Sequence, residues 1–166
     1  MEGEIMLQEI AKTIAHFHFQ TVHFPIALSF ASCFVFALGF LGKGEKKEKL
    51  LHAGRVLLYL GTLGALVAMS TGLLAESSIP HHHEGEAHEI MESHEMLGVI
   101  IASSLSVLSL ISLFSEKKKK TGARKIVFLL LLIIAGFVGY TGYLGGRLGH
   151  EFGIGVSGQE TKEGLE

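Results

Sequence analysis

Histidine is the residue type in this chain best equipped for chemistry, and there are ten. His16, His18 and His23 lie in "HFHFQTVHFPIAL" (16–28), and His81, His82, His83, His88 and His94 in "IPHHHEGEAHEIMESHE" (79–95). His150 follows in "GRLGHEFG", and His52 stands apart in "KLLHAGR". A neutral imidazole offers one lone pair to a metal or haem iron, while its other nitrogen carries a proton that needs an acceptor. Other chemistries are poorly represented. No H-E-x-x-H, phosphate loop or dinucleotide fingerprint occurs in a credible context. The lone Cys33 excludes a disulfide framework and covalent C-x-x-C-H haem attachment, and reads as a small buried packing residue.

The elements that must carry these histidines are membrane helices. Four stretches, 21–42, 56–75, 96–115 and 126–146, hold no Lys, Arg, Asp or Glu, and their lengths are 22, 20, 20 and 21 residues. Each is long enough to cross roughly 30 Å of hydrocarbon as a helix. A soluble bundle would show charge on its outer face every second turn. The expectation is an all-α, integral membrane, up-down four-helix bundle forming a single domain, 1–166, with spans at 21–42, 53–75, 95–115 and 125–147. A short amphipathic helix at 5–19, with Leu7, Ile10, Ile14 and Phe17 on one side, lies on the membrane surface before it, and 148–166 form a tail. Pro25 favours a helix start, which leaves two geometries open: an elbow at His23 between surface helix and span, or one kinked helix. The start of the chain lacks the positive n-region and short apolar core of a cleavable signal peptide.

Charge sets an orientation. The connections after spans one and three carry five and six Lys/Arg, whereas the other side carries only Lys12, Arg147 and Lys162. Eleven against three predicts that 43–55 and 116–125 are cytoplasmic, with both termini and 76–95 outside a cell inner membrane. The basic runs read as topology signals, not as a nucleic-acid surface. Nine histidines then face outward and only His52 faces inward. His23 and His94 enter the membrane at nearly the same depth, and His150 lies about one turn beyond span four. His16 falls on the polar face of the surface helix, and spacing assigns His18 to neither face. No Asp, Glu, Lys or Arg lies near mid-membrane, where coupled transporters and proton pumps normally place an ionisable group.

Glycines recur in span two (Gly54, Gly61, Gly64, Gly72) and span four (Gly136, Gly139, Gly142, Gly145), and serines in span three (Ser103, Ser106, Ser109, Ser112). Both patterns fit close helix packing and interhelical hydrogen bonds in lipid. A flat macrocycle lying against a helix face would also need missing side chains. His88 and His94, six residues apart, point about 120° away from each other on a regular helix and do not clasp one ion.

"VHFPIAL" (22–28), "TGLLAE" (71–76), "HEIMESHEMLG" (88–98) and "TGYLGGRLGHEFGIGV" (141–156), in this order, resemble the four-helix bacterial membrane family catalogued as domain of unknown function 2231. The resemblance implies recurrent histidines at His23 and His94. The family's terminal Tyr-x-His arrangement is replaced here by His150 and Phe152. It also implies a respiratory setting, since some members accompany multihaem or c-type cytochromes.

These readings converge on a b-type haem held by two imidazoles from different helices. The expected axial pair is His23 and His94, with His88 or His150 as substitute. Such a haem would exchange electrons with quinol in the bilayer and with a periplasmic c-type cytochrome or respiratory-complex subunit, as an electron-transfer subunit and not a stand-alone enzyme. His52 has no inner partner, so a second, stacked haem is not expected. One alternative is outward Zn or Cu binding by His81, His82, His83 and His88. Another is a structural subunit of a membrane complex. Assembly as a homo-oligomer stays open.

Overall fold

The computed structural model describes residues 17–76, 85–117 and 121–154, together with Met6 and Thr13. The described residues are helical, with no strand among them. Helix α1 is His23–Leu41, α2 Gly44–Glu76, α3 Glu86–Lys117 and α4 Thr121–His150. A helical turn from Phe17 precedes α1, so the first apolar helix runs Phe17–Leu41, 25 residues. All four helices are long and apolar enough to cross a membrane, and the protein is a multi-pass membrane protein.

The helices outrun the apolar stretches. At roughly 1.5 Å per residue, α2 to α4, with 33, 32 and 30 residues, extend about 45–50 Å. That matches hydrocarbon plus headgroup layers. The extra turns are charged: "GEKKEKLLHAGR" is the start of α2 and not a loop, supported by the Lys49–Glu45 ion pair at 2.8 Å. Hydropathy sees only the part of a helix inside hydrocarbon, so α2 starts nine residues before the expected 53 and α3 nine before 95. The α1–α2 link is only Gly42 and Lys43, and Gly44, at φ 58°, adopts the left-handed backbone this tight reversal needs.

In cross-section the bundle is a square. Helix α1 packs on α2 most extensively, then α3 on α4, α2 on α3 and α1 on α4, while the diagonal pairs α1/α3 and α2/α4 do not approach. Glycine permits the tightest seam. A Cβ on Gly39 would lie 2.8 Å from Leu51 Cδ2, one on Gly54 3.0 Å from the Phe36 ring, and one on Gly64 3.2 Å from Pro25. The glycines of α2 therefore serve close packing on α1, as expected in lipid. Ser32 Oγ donates to the Gly54 carbonyl at 2.7 Å across the same seam, and Thr62 meets Ser109 at 2.7 Å between α2 and α3. Phe36, Leu105 and Leu131 are wholly buried at the axis, whereas Phe24, Phe34, Leu129, Ile133 and Phe137 face outward toward lipid.

Each end of the bundle is fastened differently. At the basic end, Arg55 pairs with Glu116, and Arg124 bridges Glu116 at 2.6 Å and Glu48 at 2.8 Å, joining α2, α3 and α4. At the histidine end, Arg147 joins Glu86 of α3 at 2.9 Å and Glu151 at 2.6 Å. Gly153, at φ 66°, turns the chain back so that Ile154 N–H reaches the Leu148 carbonyl at 2.9 Å. Ile154 then packs with Ala87 and Ile90 of α3.

Candidate functional site

The histidine end is organised by helical phase. Val22, between the 17–21 turn and α1, has helical angles (φ −62°, ψ −25°), and its N–H reaches the His18 carbonyl at 3.1 Å. Phase therefore runs unbroken through "HFQTVHFP", although Pro25 offers no N–H to the Thr21 carbonyl. Of the two geometries the sequence left open, the structure has the continuous helix. Thr21, Pro25, Ser29, Ser32 and Phe36 form the buried stripe of this helix, at spacings of three and four. His18 extends that stripe by one step. His23 lies five residues on, about 140° around the helix, and is exposed, its Nδ1 bonded to the Phe19 carbonyl at 2.7 Å.

His94 occupies the matching place on α3, in the run Ala87, Ile90, His94, Ile101, Leu105, Leu108 and Ser112 that faces the bundle interior. Helices α1 and α3 are the diagonal pair, so His18 and His94 reach toward each other across the axis. Their ring centroids are 6.4 Å apart and their planes 86° apart.

Each ring is held by the next helix along the chain. His94 Nδ1 meets the Thr141 carbonyl of α4 at 3.0 Å. A carbonyl only accepts, so this nitrogen carries the proton. His18 Nδ1 meets Thr71 Oγ1 of α2 at 3.1 Å, while that hydroxyl has the Val67 and Ala68 carbonyls at 3.0 Å each. With the Thr71 proton directed at a carbonyl, His18 Nδ1 also donates. His94 is thus fixed by Nδ1–H, and His18 is fixed the same way when the Thr71 proton goes to a carbonyl; in that arrangement both Nε2 lone pairs are left for other use. Glycines make room beside them: a Cβ on Gly72 would sit 2.9 Å from His18 Cε1, and one on Gly145 3.0 Å from His94 Cε1. The Thr141 hydroxyl, beside His94, is buried without a partner among the described residues.

Of the sequence-derived candidates, only His94 stands in this pair. His23 faces away from the axis, and the structure does not bring it to His94. His88, in the first turn of α3, and His150, at the end of α4, are both exposed. His81, His82, His83 and His16 lie outside the described residues. Among the described residues no group of three or more His, Cys, Asp or Glu side chains could hold a metal ion. Spacing did contain the signal for His18: counting back from Pro25 and Thr21 in steps of four and three reaches it. An assumed elbow at Pro25 breaks that count.

Comparison with known proteins agrees in extent with this architecture. A model of the family described as predicted membrane protein (DUF2231) matches residues 15–158. The chain belongs to this family. The match begins before His18 and ends after Ile154, so both imidazoles and all four helices lie inside the family domain. No curated protein and no solved structure matches the chain.

Proposed function

We propose that this DUF2231 member is a b-type cytochrome-like electron carrier whose haem is held between His18 and His94. The observation that carries the reading is the imidazole pair itself. Two rings from diagonal helices face each other at 6.4 Å, each with Nδ1–H committed to a neighbouring helix. Two imidazoles bound on opposite sides of one metal, at roughly 2.0–2.1 Å per bond, hold their centroids roughly 6–7 Å apart. The 6.4 Å separation of His18 and His94 is compatible with that spacing, and these two residues would hold the group. A donor set of two also suits haem, whose porphyrin supplies the remaining four nitrogens, better than Zn or Cu, which ask three or four ligands of the protein. When bound, the haem supplies a one-electron Fe(III)/Fe(II) couple. The chain contributes neutral imidazoles in one tautomer, a wall thinned at Gly72 and Gly145, and an apolar surround.

Orientation follows from charge. With 43–55 and 116–125 cytoplasmic, the imidazole pair sits near the outer face, where quinol in the bilayer and a periplasmic redox protein are both within reach. The test is a visible spectrum of protein purified in mild detergent after haem-replete expression, oxidised and reduced. A sharp reduced α band is expected, lost in both His18→Ala and His94→Ala and kept in His23→Ala. Absence of a Soret band, or its survival in His18→Ala with unchanged bands, would overturn the proposal.

A further inference from the structure

The two imidazoles are not supported in the same way. The His94 ring leans on a backbone carbonyl, which no side-chain substitution removes. His18 meets one side-chain hydroxyl, Thr71 Oγ1, beside the Ala68 carbonyl of the same helix, and Thr71 also holds the segment that carries His18. Thr21 Oγ1 donates to the His18 carbonyl at 2.9 Å and meets Thr71 Oγ1 at 3.3 Å. The bonds of His18 and Thr21 to Thr71, together with the Ala68 carbonyl beside the His18 ring, tie 17–22 to α2. The segment also lies beyond Pro25, where the helix ladder lacks a rung.

We infer that Thr71 is the positioning residue of the site: its hydroxyl selects the His18 tautomer and anchors the 17–21 turn to α2. Thr71 acts through His18. Its own proton goes to the Val67 or Ala68 carbonyl, so its lone pairs face the imidazole N–H and force the Nε2 lone pair to the opposite edge of the ring. Valine has the shape of threonine and cannot accept; serine keeps the acceptor. Thr141 is the internal control, because its carbonyl holds His94 while its hydroxyl has no partner among the described residues.

The inference rests on the haem reading only for the second of two measurements. The first is nitrogen NMR of histidine-labelled protein in detergent without added haem. His18 is expected with its proton on Nδ1 in the native protein, Thr71→Ser and Thr141→Val, and as a tautomer mixture in Thr71→Val. The second is haem titration, in which loss of such an outer partner typically weakens metal affinity roughly 10–100-fold. That loss is expected for Thr71→Val and not for Thr71→Ser. An unchanged His18 signal in Thr71→Val, or an equal effect of Thr141→Val, would overturn the inference. A chain that takes up no haem removes the proposed function while the NMR result still decides the role of Thr71.

Discussion

At the residue scale, Gly72 and Gly145 are as informative as the histidines they touch. A methyl at either position lies only 2.9–3.0 Å from the nearest imidazole carbon, closer than ordinary van der Waals contact, so the imidazole must give way. Gly72→Ala and Gly145→Ala are expected to cost about 1–3 kcal/mol from overpacking, read by thermal unfolding in detergent, and to weaken the uptake of haem that the proposed function requires. Gly146→Ala, with open space at its Cβ, should leave both unchanged. Hydrogen bonding makes Glu151 a second small probe. Arg147 holds its carboxyl below the ordinary carboxylate value. A lowered folded-state value means that this support is present above the unfolded value and lost as pH falls through the folded one. Acid, and not neutral pH, should therefore loosen the α4 end, an effect Glu151→Gln removes.

Which histidines meet inside the bundle was only half legible in the sequence, for a physical reason. His94 was readable because no break separates it from the apolar run of α3. His18 was hidden because Pro25 suggests a boundary, and a boundary resets the helical count. Proline removes one donor without forcing the chain out of helical angles, and Val22 shows that phase survives.

At the element scale, existence and order of the four helices were legible from charge-free runs alone. Their ends were not, because charged turns continue a helix into the headgroup layer without leaving any hydropathy signal. The pairing of Arg55, Glu116, Arg124 and Glu48 was also hidden. In the sequence these arginines count only as inward charge, whereas folded they clasp three helices. Glu116→Ala leaves two guanidiniums short of a partner and is expected to cost about 1–3 kcal/mol in denaturant unfolding. Lys49→Ala, an exposed i, i+4 partner, should cost well under about 1 kcal/mol. Gly54→Leu would drive a side chain into Phe36 and is expected to separate α1 from α2.

At the scale of the whole molecule, orientation is the property that gives the site a biological side. Single cysteines placed at position 49 or 150, in a Cys33→Ala background, should respond oppositely to a membrane-impermeant thiol reagent applied from outside: position 150 labels and position 49 does not. The reverse pattern would put the imidazole pair at the cytoplasmic face without changing its geometry.

The square arrangement has a further consequence. Hairpin α1–α2 supplies one imidazole with its acceptor and glycine, and hairpin α3–α4 supplies the other set. Neither half owns a complete site. The gap between the rings is therefore a gauge of how the halves are seated: sliding one hairpin by a single helical turn, about 5.4 Å, would pull the rings out of register while every contact inside each hairpin survived. Occupancy of the site would then report correct assembly, and a ligand spanning it would act as a rivet between two separately built halves of the chain.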